Sequence, residues 1–266
     1  MAITTVREDY PSKGIKMEVL SYYQEETGDK ELLIEHIATA LEVMEGAEDS
    51  RLFRLAEKIY HGLDFKQAVR LAIVFHDAGK IFYQSKRGEK GKRYMSFKGH
   101  EYFSTYIFNT FVSKLFEIDL ENYERYGVIR DVCSFAIFFH HHAMNVRLRK
   151  PEMEESSVRF GMSLLEIFEN YVRQFLDQKE VEALKKAVNE IKTRGAENLM
   201  RSLEVNVNSR VNSLWREIMQ RRDLKKLSYL TLIVLTTADY LSAQKSRKGG
   251  KTTFSRALDD FYRFYL

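Results

Sequence analysis

The chain has 266 residues, 44% hydrophobic and 13% aromatic, with 42 Lys and Arg against 38 Asp and Glu for a formal charge of +4. That length and apolar content are enough for one sizeable folded core and exclude a disordered chain, while so modest a charge does not by itself mark a nucleic-acid binder. One cysteine, Cys133, excludes an intramolecular disulfide, argues against a thiolate metal site and fits a reducing, cytoplasmic compartment.

The longest apolar stretch, 227–243, is interrupted by Ser, Thr and Asp, and the amino terminus carries acidic residues in place of a basic region and an apolar run. Neither a membrane span nor a signal peptide is expected. With two prolines and no Gly/Ser-rich linker, residues 1–266 read as a single domain.

Taken in chain order, apolar residues recur at three- and four-residue steps: Leu33, Ile37, Leu41 and Met44; Ala68, Leu71, Ala72 and Phe75; Phe103, Ile107 and Phe111; Val128, Val132, Phe135 and Phe139. The same helical period continues over 157–176, 180–204, 208–220, 224–244 and 253–264, and no two-residue alternation bounded by turns stands out. The expected fold is all-α, with 150–222 as a helical scaffold segment and Gly79 as a helix C-terminal glycine in the left-handed region. Residues 1–30 carry no interpretable motif.

Metal-ligand side chains lie along these helical stripes: His36, the adjacent His76-Asp77, His100, the pair His140-His141 and Asp239. An aspartate within LTLIVLTTADYLSA is costly to bury unless it is paired or binds a metal. Five of the seven histidines fall in this set, outside which lie His61 and His142. Adjacent residues on a helix diverge by about 100°, so Asp77 can bridge two ions where His76 binds one. Lys80 follows His76 by one turn and offers positive charge to a phosphate. An imidazole-rich set with carboxylates suits Mn, Ni, Co, Fe or Zn in preference to Mg, which favours all-oxygen shells.

Two basic runs adjoin these residues. Residues 84–98 hold Lys86, Arg87, Lys90, Lys92, Arg93 and Lys98, and 245–251 holds Arg247 and Lys248 in KSRKGGK. Lys86, Arg87, Lys92, Arg93, Arg247 and Lys248 are candidate contacts to a polyanionic substrate, and Tyr83, Tyr94 and Phe97 candidate surfaces for stacking unpaired bases. The Gly249-Gly250-Lys251-Thr252 sequence mimics the end of a phosphate-binding loop. Lys245 stands where its first glycine belongs and a helix precedes it, so it reads as a basic loop.

The order His36 in LLIEHI, His76-Asp77 in VFHDAGK and Asp239 in TTADYLSA resembles the HD superfamily of metal-dependent phosphohydrolases. Lys80 of HDxxK, His100 in KGHE, His140-His141 in FFHHHAM and Ser242 after TAD extend the resemblance, over about residues 31–245, to the HD nuclease of CRISPR type I interference in its stand-alone form.

The resemblance implies a single HD-type helical domain with two divalent metal ions. The first would be held by His36, His76, Asp77 and Asp239, and the second by Asp77, His100, His140 and His141. It also implies Asp77 and Lys80 as catalytic residues, Ser242 near substrate, and cleavage of single-stranded DNA by exonuclease and endonuclease modes. The implied partners are a separate helicase and an RNA-guided surveillance complex. The alternatives are an HD phosphohydrolase acting on nucleotides or cyclic nucleotides, and a non-enzymatic helical subunit of a nucleoprotein complex.

Overall fold

The sequence of α3, Phe65–Phe75, dictates a central position. FKQAVRLAIVF is apolar on every side from Leu71 onward, and a helix of that kind is stable only when enclosed. Leu71 to Phe75 are completely buried. Asp64 starts the helix by accepting from the Gln67 N–H at 2.9 Å, which satisfies an otherwise orphaned donor. At the far end Phe75 stacks on Phe111 with centroids 4.7 Å apart and meets Phe108 and Phe168 edge-on at 5.5 and 6.0 Å.

The computed structural model describes residues 17–60, 62–86, 94–141, 153–203, 208–246 and 253–266. A two-stranded antiparallel sheet, β1 (Leu20–Tyr23) and β2 (Lys30–Leu32), runs into α1 (Leu33–Glu45), followed by α2 (Arg51–Ile59) and α3. A 3-10 segment, Ala78–Lys86, separates α3 from α4 (His100–Ile118), and a short one, Leu120–Asn122, leads into α5 (Tyr123–Phe139). The remaining helices are α6 (Glu155–Ser163), α7 (Leu165–Val172), α8 (Gln178–Ser202), α9 (Asn208–Gln220), α10 (Arg222–Ser246) and α11 (Thr253–Tyr265). The expected all-α domain is therefore found, and no helix among the described residues is long and apolar enough to cross a membrane.

α10 packs against α1, α3 and α5, while α4 lies against α5, α8 and the 3-10 segment after α3. α8 is anchored at its start by a reciprocal capping box between Asp177 and Glu180 and is broken at Gly195, whose φ is 77°. The run expected over 157–176 divides at Leu164 into α6 and α7.

Two expectations are corrected. The β1–β2 hairpin was not visible as an alternation, because its strands have only four and three residues, with an irregular register between Leu20 and Tyr22. Gly79 is not a left-handed cap: it lies in the 3-10 segment and is absent from the positive-φ glycines. Its glycine is required by close approach instead. A Cβ there would lie 2.1 Å from the His100 carbonyl oxygen and 2.8 Å from both Phe103 Cβ and Ser104 N.

Because two of those three neighbours are backbone atoms of α4, Gly79→Ala must push the start of α4 away. Overpacking of this kind costs about 3 kcal/mol. Urea unfolding of the variant should show that loss, since His100 opens the displaced helix.

Candidate metal centre

The residues singled out in the sequence sit mainly at helix ends that point toward one another. His36 lies in the second turn of α1 and Asp239 in α10, helices that pack together. His76 caps the end of α3 and Asp77 follows it, His100 is the first residue of α4, and His140 caps the end of α5 with His141 beyond. His36, His76, Asp77, His100, His140 and Asp239 are all buried, and His141 is partly exposed.

Asp77 stands between two groups of ligands. Its Oδ2 is 3.5 Å from His36 Nε2 and 3.4 Å from His76 Nε2, while its Oδ1 is 2.9 Å from His100 Nε2. Asp239 Oδ1 closes the first group, 3.0 Å from His36 Nε2 and 3.7 Å from His76 Nε2. Within the set His36, His76, Asp77 and Asp239, one ligand atom from each falls within 4.8 Å of the others, and the same holds for His100, His140 and His141. Each set could hold a metal ion. The rings of His76 and His140, with centroids 5.3 Å apart, join the two.

The backbone fixes which nitrogen of three histidines faces the centre. Nδ1 of His76, His100 and His140 lies 2.7 Å from the carbonyl oxygen of Ile73, Phe97 and Ile137, each three residues earlier. A carbonyl only accepts, so Nδ1 carries the hydrogen and in the neutral ring Nε2 presents its lone pair. The Nε2 atoms of His76 and His140 are buried without a hydrogen bond, a costly arrangement for polar atoms in a core. Orphaned lone pairs converging beside carboxylates fit a cation, and the Nδ1 anchors are what a metal-ligating histidine needs to hold its ring.

His36 is held differently. Its Nδ1 lies 3.1 Å from Glu31 Oε1 and 2.7 Å from Ser242 Oγ, its Nε2 faces Asp239, and the Ser242 hydroxyl reaches the His36 carbonyl oxygen at 3.2 Å. Glu31, delivered by β2, is steadied by the Ser21 hydroxyl of β1 at 2.8 Å. Burial alone would lower the pKa of His36, but hydrogen bonds to Asp239 and then Glu31 outweigh it and hold it up at about 9. Burial, reinforced by His76 and His100, pushes His140 down to about 4. Burial also works against ionised Asp77 and Asp239. The nearness of His76, Lys80 and His100 to Asp77, and the His36 hydrogen bond with His76 close by for Asp239, nonetheless keep both well below the usual carboxylate range.

Several expected substrate contacts are placed elsewhere. Ser242 is completely buried and hydrogen-bonded to His36. Lys80 is also buried, its Nζ 2.5 Å from Asp77 Oδ2, 3.1 Å from the Ser21 carbonyl oxygen it donates to, and over the Phe97 ring at 5.2 Å from the centroid. It neutralises the central carboxylate here. Tyr83 is buried and donates to the Lys98 carbonyl oxygen, which removes it as a stacking surface, whereas Tyr94 is exposed. Arg87, Lys92, Arg93, Arg247, Lys248, His61, His142 and the 249–252 sequence lie outside the described residues, as does the side chain of Lys86.

Glu31 and Ser21 are the contributors that sequence reasoning missed. Neither carried a signal in the sequence, since the burial of Glu31 and Ser21 appears only in the folded chain.

Two consequences are measurable. Ligation requires a neutral imidazole, so a divalent ion that engages His36 below pH about 9 must displace its proton. Calorimetric titration with Mn²⁺ in buffers of different ionisation enthalpy should give about one proton released through this group at pH 7.5, with affinity falling about tenfold per unit as pH is lowered. In the metal-free protein the sign is opposite. The raised pKa stabilises the fold fully below pH 6.5, and that contribution is lost as pH rises through about 9.

Lys80→Met removes one partner of a buried pair and should destabilise the metal-free protein by about 3 kcal/mol. Melting curves with and without divalent ion should show most of that loss restored by the ion, which neutralises the same carboxylate.

Comparison with known protein families, with curated proteins and with solved structures finds no match.

Proposed function

We propose that this protein is a metal-dependent phosphodiesterase that cleaves single-stranded DNA, using two divalent ions. The observation that carries the reading is the position of Asp77. Its two oxygens face separate histidine groups, His36 and His76 on one side and His100 on the other, as a carboxylate shared between two ions requires. His36, His76, Asp77 and Asp239 would hold the first ion, and Asp77, His100, His140 and His141 the second.

Five imidazoles and two carboxylates favour Mn, Fe, Co, Ni or Zn over Mg. When bound, such a pair supplies Lewis acidity toward a phosphodiester and lowers the pKa of coordinated water.

The chain's own contribution is to fix and dry the centre. The Nδ1 anchors hold three rings before any ion arrives, so little reorganisation is needed on binding. Glu31 and Ser242 hold the fourth ring, and Glu31 adds electron density to it. Lys80 holds the shared carboxylate and remains within reach to offset charge at a phosphate. The resemblance to the stand-alone HD nuclease of CRISPR interference supports DNA as substrate, with a separate helicase and an RNA-guided surveillance complex as partners and a cytoplasmic setting.

The test is metal analysis of the purified protein with a divalent-ion screen on single-stranded DNA, run beside a panel of nucleotides and cyclic nucleotides. Bound transition metal and cleavage of the strand are expected. Hydrolysis confined to nucleotides would replace the nuclease reading, and activity with no bound or added metal would overturn it. Asp77→Ala should abolish cleavage and the binding of both ions, with circular dichroism still showing the helical fold.

A further inference from the structure

We infer that the α5–α9–α10 face is a base-stacking platform that receives single-stranded nucleic acid, with Trp215 and Tyr229 as its contact surfaces. The inference rests on the nuclease reading for its purpose but on separate residues for its evidence. Trp215 is 42% exposed and Tyr229 43% exposed, unusual for large aromatic side chains on well-packed helices. Both are braced from beneath. Trp215 stacks on Phe135 at 5.7 Å with an interplanar angle of 22° and meets Phe139 at 5.6 Å, while Tyr229 meets Phe135 edge-on at 5.5 Å. The result is a rigid aromatic shelf with an open outer side.

Trp215 packs on Phe139, the last residue of α5 and the one before His140. Tyr229 and Asp239 share α10, ten residues or about 15 Å apart along the helix axis.

The charge around the shelf selects an anionic occupant. Arg216, Arg221, Arg222, Lys225 and Lys226 are all exposed, against Glu217 and Asp223, with Asp223 paired to Arg221. Lys225, Lys226 and Arg222 precede Tyr229 by four, three and seven residues, the spacing that puts them on its face of α10.

An apolar shelf alone would suit many proteins. Braced, half-exposed rings bordered by cations fit a strand whose bases stack while its phosphates meet Arg and Lys. Duplex DNA keeps its base faces covered and cannot use the rings in this way.

Trp215 is the single tryptophan of the chain, so its emission reports on this surface alone. The protein as purified is titrated with a cleavage-resistant phosphorothioate oligothymidylate, following tryptophan emission and the anisotropy of a labelled strand together. Saturable quenching that coincides with binding is expected, with no quenching by a duplex of equal length. Trp215→Ala should weaken strand binding about tenfold, and Trp215→Phe, which keeps a ring over Phe135, should retain most of it.

Strand binding that leaves tryptophan emission unchanged and is undiminished in Trp215→Ala overturns the platform, as does the absence of any strand binding. Neither result depends on turnover. A protein that quenches on binding but never cleaves refutes the nuclease reading and leaves the platform standing; one that cleaves without quenching does the reverse.

Discussion

A buried aspartate flanked by imidazoles and an ammonium group sets the terms for the rest of the structure. Ionised Asp77 has almost no contact with water, and desolvating a carboxylate is expensive unless cations or donors surround it. His76, Lys80 and His100 fill that role in the metal-free protein. The elements that carry them are therefore bound together electrostatically: the end of α3, the 3-10 segment after it and the start of α4. The aromatic packing of Phe75 against α4 holds the same elements from the apolar side.

The small hairpin has a larger role than its size suggests. Through Glu31 it fixes the ring of His36, and through the Ser21 carbonyl it holds the ammonium of Lys80. Both sides of the central carboxylate are thus steadied by seven strand residues that contribute little to the core. A sheet of two short strands is marginal by itself. Its packing against α1 and the 3-10 segment makes it part of the centre's support.

The helices and the clustering of the candidate ligands were legible in the sequence for a common reason. Apolar period specifies the helices, and His36, His76, Asp77, His100, His140, His141 and Asp239 stood out because polar ligands within such stripes need partners. The supporting layer was not legible. Strands of three and four residues give no period to count, so Glu31 and Ser21 had no context. Ser242 was noticed, but which way a serine faces on α10 depends on how α1 lies against that helix. Gly79 was recognised as necessary for the wrong reason, since the contact that demands it comes from α4, over twenty residues away.

Three of the candidate ligands, His76, His100 and His140, take their orientation from the backbone three residues behind them, each at a helix boundary. Their placement therefore depends on how long the helices are and where they stop. A side-chain exchange inside α3 or α5 changes packing locally, whereas inserting or deleting one residue turns everything beyond it by about 100° and shifts it by about 1.5 Å. His76 or His140 would then face away from Asp77 even though every one of these side chains was still encoded. Across divergent versions of such a chain, the lengths of α3 and α5 should vary less than their composition, with insertions accumulating in the connections between helices.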